Sequence, residues 1–283
     1  MPSTPVVVLS IAGFDPSSGA GVTADVKTAA AHGCYAVACI TALTVQTTQG
    51  VRRIEPVPTA LVKETLEELV TDFSIAAVRI GMLGSAAVGR AVADFLRRSA
   101  LPNVVLDPIY RASSGTSLLD TAGADLLKRD LLKLADVVTP NLEEAAALTG
   151  LKVTNLAEMK IAAGRLHELG ARNVVVTGGH LEKPTDVLTF TTPGGRIEQQ
   201  IFTSERHPSR STHGTGCAFA TSVACHLAQG RRIPDAVLLA KAYVAAAISN
   251  AAPLGKGIGP LDHLFRFNQP QRRAVTVADP ELV

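Results

Sequence analysis

Tryptophan is absent from this 283-residue sequence, aromatic residues make up only 4%, and neither sign of charge dominates, with 27 Lys and Arg against 25 Asp and Glu for a formal net charge of +2. That balance lacks the basic footprint of a nucleic-acid or membrane-surface protein and leaves small molecules as the default partners. The 4 cysteines, Cys34, Cys39, Cys217 and Cys225, contain no CxxC pair and have no His at metal-ligand spacing. Neither a zinc site nor a disulfide framework is indicated, and a reducing compartment is expected. The start MPSTPVVVLS lacks a basic leader region, and the most apolar helical run, 236–248, is short and interrupted by Lys241. A cytoplasmic protein is expected.

What is present is 47% hydrophobic residues and 18% charged residues, enough apolar material for a large core and too much for a disordered regulator. Ala, Val, Leu and Ile carry that apolar volume, which suits helices packed closely on a sheet of β-branched strands. Short Val/Ile-rich runs at 6–11, 37–43, 75–80, 104–106, 137–139 and 174–176 read as strands buried on both faces. Helical patterns alternate with them at 22–32, 58–73, 85–98, 121–134, 142–148 and 156–169, several closed by glycine or opened by proline. Asn155 and Glu158 have capping-box spacing. Beyond Gly179, the segments 186–192 and 196–203 alternate apolar and polar residues around PGG, as in an antiparallel edge hairpin, and Ala-rich helices are expected at 223–229 and 236–250. The alternation predicts a three-layer α/β/α domain with a mostly parallel central sheet. No linker divides the chain, so one domain over 1–267 is expected, with a polar tail at 268–283.

Two glycine-containing loops carry the chemistry. In Ser211-Thr212-His213-Gly214-Thr215-Gly216-Cys217, the glycines free backbone N–H groups to turn inward ahead of an apolar helix, forming an anion hole. Cys217 at the helix start is expected to have a lowered pKa and to serve as a base. The same segment also reads as a plain helix cap carrying an inert core cysteine. The other loop, 12–21, follows the first strand, yet its Gly13, Gly19 and Gly21 do not have the GxGxxG spacing of a dinucleotide site, and no Walker A ending occurs.

The segments SIAGFDPSSGAGVTADVKT at 10–28, TALTVQTTQGV at 41–51, RIGML at 79–83, VLDPI at 105–109, TPNLEEAAALTG at 139–150, VTGGH at 176–180, THGTGCAFA at 212–220 and GIGP at 257–260 resemble the hydroxymethylpyrimidine/phosphomethylpyrimidine kinases of thiamine biosynthesis, in the ribokinase superfamily. The resemblance runs in order along the chain to about Phe267. It implies a ribokinase-like fold, usually dimeric, and ATP- and Mg2+-dependent phosphorylation of the hydroxymethyl-aminopyrimidine alcohol and then of its monophosphate. By motif match it places Gly13, Asp15, Ala20, Thr44 and Gln46 about the pyrimidine, with Met82 and Ile109 as apolar walls. It gives Gly214, Thr215 and Gly216 to the transferred phosphoryl group and Cys217 to the place of the superfamily's base. Asp107 and Glu144 would organise Mg2+, and Thr177, Thr215 and Lys241 would lie on the ATP side. Thr177 stands where many relatives carry Lys, a lost charge that Lys241 or a second Mg2+ would have to replace. Phe14 and Ser18 also depart from the small polar residue and Gly common there.

From the residues alone, Asp107 before Pro108 also reads as a turn opener and Glu144 as a first-turn helix carboxylate. Met82 also reads as core and Thr44 and Gln46 as loop polar groups. His180, His207 and His213 read as structural or solvated, and Cys34, Cys39 and Cys225 as core. A cysteine in place of the superfamily's Asp would not repel a phosphate monoester acceptor, so Cys217 is expected to matter more for the alcohol step. The alternatives are a pyridoxal kinase of the same superfamily and a catalytically silent pyrimidine sensor.

Overall fold

The structure is a computed structural model, and it describes residues 4–111, 115–116, 118–192 and 194–267. Its sheet has nine strands in the order β3-β2-β1-β4-β5-β6-β7-β8-β9. Strands β1 (Val7–Phe14), β2 (Tyr35–Thr47), β4 (Ile75–Ile80), β5 (Val104–Leu106), β6 (Val137–Val138) and β7 (Val174–Gly178) run parallel. Their Val/Ile content fits strands covered on both faces. The expected hairpin forms at one edge as β8 (Thr185–Thr191) and β9 (Ile197–Thr203), both antiparallel.

A second antiparallel edge departs from the sequence reading. The second strand does not stop at Leu43 but continues to Thr47 and folds back as β3 (Gly50–Pro56). Leu43, Thr44, Val45, Gln46 and Thr47 alternate between exposed and half-buried positions there, because this extension lies past the helical layers. Thr44 and Gln46 are thus strand residues facing the same way.

Helices α1 (Gly21–Ala31), α8 (Thr215–Ala228) and α9 (Ile233–Ser249) cover one face, packing Ala29, Val223, Ala236 and Tyr243 against Val8, Ala77, Val105 and Val175. Helices α2 (Thr59–Asp72), α3 (Ala86–Ser99), α4 (Thr121–Leu126), α5 (Leu132–Leu134), α6 (Leu142–Thr149) and α7 (Leu156–Glu168) cover the other, over Leu9, Val78, Leu106, Val138 and Val176. A π-helical turn over Leu127–Leu131 joins α4 to α5, so 121–134 is one helical run. Helix α8 starts at Thr215 rather than near residue 223, which puts Gly216 and Cys217 inside its first turn. Helix α9 likewise starts early, at Ile233 with Pro234 in its first turn.

Asn155 accepts from the Glu158 N–H at 3.0 Å, but the Glu158 carboxylate turns back to Thr154, so that capping box is only half made. The complete one is at Asn141 and Glu144. The tail expected at 268–283 lies outside the described residues. Among the described residues, no helix is long and apolar enough to cross a membrane.

Candidate active site

The loops that follow parallel strands β1 and β5 meet the start of α8 at the C-terminal edge of the sheet, the position where open α/β sheets hold ligands. Strand β1 feeds the loop anchored by Asp15. Its carboxylate accepts from the Ser17 N–H at 2.8 Å, the Ser17 hydroxyl at 2.7 Å and the Ala20 N–H at 2.9 Å. His213 Nε2 is 2.8 Å from the same group. Burial raises the Asp15 carboxyl, but the hydrogen bonds from His213 and Ser17 outweigh it and hold the group below its ordinary value. Asp15 therefore folds the loop and turns inward, so its side chain is an anchor for the surroundings of Ala20. Ser18 takes φ 60, in the left-handed region that a glycine would occupy without strain.

Gly214, the N-cap of α8, has φ 80, and a Cβ there would run into the Gly19 carbonyl oxygen. The two glycine-containing loops consequently pack against each other. Gly216 is exposed and Thr215 half-buried, and although the Thr215 N–H donates to the Thr212 carbonyl at 3.4 Å, the start of α8 is open to an incoming anion. The Thr215 hydroxyl donates to the Thr212 carbonyl at 2.7 Å and closes the loop.

Cys217 corrects the expectation of an acidic thiol. It is 7% exposed, and burial pushes it up to about 11, with Arg79 opposing and Asp107 and Asp25 adding to the rise. The helix-end field is real, but desolvation of the thiolate outweighs it.

Beneath the helix start lies Arg79 of β4, fully buried. It donates to Asp107 at 2.7 Å and to Asp25 of α1 at 3.1 Å. Asp25 also accepts from Ser10 at 2.6 Å and Thr221 at 2.7 Å. Burial works against the guanidinium charge, yet Asp25, Cys217 and Asp107 outweigh it. Asp107, at the end of β5, is pushed up to about 6, first by burial, with Asp25 adding and Arg79 opposing. Its carboxylate oxygens lie beside Gly216. The sequence reading missed Arg79, Asp25 and His213. An arginine inside an otherwise apolar strand, AAVRIG, was the available signal, since Arg is almost never fully buried unless paired.

Glu144 is buried in the first turn of α6, its carboxylate accepting from the Asn141 N–H at 2.8 Å. Burial pushes it well above the carboxylate range, with the charge of Asp107 adding. The first-turn capping role is therefore present, and the same carboxylate also faces Asp107. Thr177 is half-buried, its N–H donating to the Pro140 carbonyl at 2.8 Å. Its cross-strand partner is Asp186, which accepts from Lys241 of α9 at 2.8 Å. Burial raises the Asp186 carboxyl, against the pull of Lys241.

On the β2 side, Thr44 donates to the Phe14 carbonyl at 3.0 Å, and Gln46 reaches Thr44 and His213, each at 3.2 Å. Met82 is buried with Ala42 and Leu118, with Ile109 packed against them, and its methyl fills the space a Cβ on Gly13 would need. The structure thus brings together Gly13, Asp15, Ala20, Thr44, Gln46 and Met82 on one side and Asp107, Glu144 and Gly214–Cys217 on the other. Lys241 stands apart from both, beside Thr177 through Asp186. Among the described residues no three His, Cys, Asp or Glu side chains gather as a metal cage.

An anion-accepting helix start above a buried Asp–Arg–Asp chain, on a mostly parallel sheet with helices on both faces, defines a ribokinase-like phosphotransferase. Residues 15–262 match the model of the phosphomethylpyrimidine kinase family, and the chain belongs to that family. It is 40% identical over 260 residues to a hydroxymethylpyrimidine/phosphomethylpyrimidine kinase of Haemophilus influenzae, covering 90% of this chain and 96% of that protein. It is 43% identical over 258 residues to a thiamine biosynthesis bifunctional protein of Geobacter sulfurreducens; the match covers 91% of this chain but 52% of that longer protein. Among solved structures, an ADP complex of Bacillus subtilis pyridoxal kinase superposes with a TM-score of 0.84 at 32% identity, covering 94% of this chain and all of that one. A phosphomethylpyrimidine kinase from Clostridium difficile superposes with a TM-score of 0.76 at 34% identity, covering 86% of this chain and 99% of that one.

Proposed function

We propose that this kinase uses ATP to phosphorylate 4-amino-5-hydroxymethyl-2-methylpyrimidine and then its monophosphate to the diphosphate. The observation that carries this reading is the facing pair of surfaces: an amide-bearing, Met-lined wall at Gln46 and Met82, and the open first turn of α8. The wall suits a heteroaromatic ring with hydrogen-bonding edges, and the helix start suits a phosphoryl group in transfer. Gly214 and Gly216 supply backbone donors, and Thr215 closes the loop that presents them.

Asp107 and Glu144 fit Mg2+: both are hard oxygen donors whose carboxyls are raised by burial, so a divalent cation would offset the cost of their charged forms. Each has one oxygen on a protein donor and one left over, so waters and phosphate oxygens would complete the shell. The bound ion would neutralise charge developing on the phosphates. Lys241, beside Thr177, serves the ATP phosphates at long range through a buried field rather than by direct contact.

The Cys217 thiol is neutral at pH 7 by its raised pKa, so it does not repel a phosphate acceptor; in the alcohol step only its thiolate, formed once the S–H proton has been released to solvent, takes the hydroxyl proton. The single domain over 1–267 acts as one unit, because both loops needed for the site come from opposite ends of it. A homodimer is supported by Leu43 and Val45, exposed at 50% and 53% on the edge hairpin.

The test is an assay of purified protein with Mg-ATP and the pyrimidine alcohol in which mono- and diphosphate are separated. Both products are expected in sequence. Monophosphate alone, with pyridoxal phosphorylated as well, would favour the single-transfer pyridoxal reading that the Bacillus subtilis structure brings forward. ATP binding without turnover of either acceptor would favour a silent sensor.

A further inference from the structure

His213 joins the two walls through its side chain. Its Nε2 lies 2.8 Å from Asp15 Oδ2 and 3.2 Å from the Gln46 amide, while the other end of that amide lies 3.2 Å from Thr44 Oγ1. Counting protons settles which end of the amide is which. Asp15 already accepts three hydrogen bonds from Ser17 and Ala20 and is an ionised acceptor, so the short contact to His213 requires a proton on Nε2. A protonated Nε2 has no lone pair and cannot accept from an amide NH2. Thr44 has a single hydroxyl proton, and the Phe14 carbonyl at 3.0 Å takes it. Its oxygen therefore meets Gln46 with a lone pair and needs an N–H. With the Gln46 nitrogen toward His213, two donors meet at one end and two acceptors at the other. With the amide turned by half a rotation, both contacts become hydrogen bonds.

We infer that His213 and Thr44 are positioning residues that lock the Gln46 side chain with its oxygen on His213 and its NH2 on Thr44. One amide N–H and one oxygen lone pair remain for a ligand, on opposite ends of a fixed edge. That edge complements a heteroaromatic ring whose acceptor nitrogen is flanked by an exocyclic amino group, and it fixes which way round such a ring sits. A ring carrying a phenolic hydroxyl and no amine, as in pyridoxal, satisfies only half of it, so the lock becomes a selectivity device. Reversing the amide would leave an unpaired buried group, at a cost of roughly tenfold in preference per mispaired contact. This inference rests on the proposal that Gln46 faces the acceptor ring, but the orientation itself does not.

The orientation is read without any ligand, by NMR on protein labelled at glutamine side-chain nitrogen. Cross-relaxation from the Gln46 amide protons to the Thr44 methyl is expected, and cross-relaxation to the His213 ring protons would overturn the assignment. The selectivity is read as kcat/KM for the aminopyrimidine alcohol over kcat/KM for pyridoxal. His213→Ala and Thr44→Val are each expected to lower that ratio about tenfold while KM for ATP stays put, and His213→Gln, which keeps an N–H donor, is expected to restore most of it. An unchanged ratio in Thr44→Val, which preserves shape and tests the lock even where His213→Ala fails to fold, would overturn the selectivity role. A wild-type protein that does not phosphorylate the pyrimidine at all would remove the functional reading, with the NMR result still deciding the orientation.

Discussion

Arg79 donates to Asp107 across 2.7 Å while its other terminal nitrogen holds Asp25 at 3.1 Å, so one buried cation faces two buried carboxylates directly under the start of α8. Two negative groups to one positive leaves a local excess of negative charge where a phosphate-bound cation would arrive. Several consequences of that arrangement can be measured.

Replacing Arg79 should be costly. Arg79→Met leaves Asp25 and Asp107 buried without a compensating cation, and a loss of about 3–5 kcal/mol in urea unfolding is expected. Arg79→Lys should recover part of that but not all, since one ammonium cannot bridge both carboxylates with the same fork geometry. A loss below about 1 kcal/mol in Arg79→Met would show that the chain of charges is not structural.

Asp107 should show the opposite trend. Its carboxyl lies at about 6 in the folded protein against an ordinary 3.8. The folded state therefore holds its proton where the unfolded state has lost it, and stability falls as pH rises from about 4 through about 6. Asp107→Asn should flatten that slope and raise Tm at pH 7, while abolishing most activity. In the wild type, activity should climb as Asp107 ionises through about 6, with the rise extended to higher pH by Glu144, whose carboxyl burial holds well above its ordinary value. Equal Tm for the two proteins at pH 7 would contradict the stated cause of the shift.

Much of the architecture was legible from strand composition and caps. The six parallel strands and the helices between them follow Val/Ile runs punctuated by glycine and proline, and Ser85 caps α3 as its position suggests, accepting from the Val88 N–H. The edge hairpin β2–β3 was missed because its alternation is that of a strand leaving the covered region, which dilutes the apolar signal on which the other strands were found. At the site, backbone chemistry was readable and side-chain electrostatics were not. The glycines of the anion loop announce themselves, whereas the Cys217 thiol depends on how much water reaches it and on a charge balance set by residues 10–221, far apart in sequence. His213 read only as structural or solvated because its partners, Asp15 and Gln46, lie 198 and 167 positions away.

Cys217→Ala should separate the two transfers. A general base is typically worth about 10²–10⁴ in rate, so the alcohol step should drop by about that factor, while the monophosphate step, whose acceptor is already ionised, should change by less than about tenfold. Rates measured separately for the two acceptors decide it, and equal losses would remove the proposed role.

Lys241 and Asp186 form a buried pair at 2.8 Å. Lys241→Met alone should destabilise the fold by about 3–5 kcal/mol because Asp186 is left uncompensated, and Lys241→Met with Asp186→Leu should recover most of that. If Lys241 also supports the ATP phosphates, the double variant should remain folded with a raised KM for ATP. A double variant with unchanged KM would confine the pair to stability.

The most direct measurement of the central claim supplies the pyrimidine monophosphate as sole acceptor with Mg-ATP and follows diphosphate and ADP together. The account predicts their formation in equal amounts, with pyridoxal a poorer acceptor under the same conditions. A monophosphate left untouched while pyridoxal is phosphorylated would contradict it.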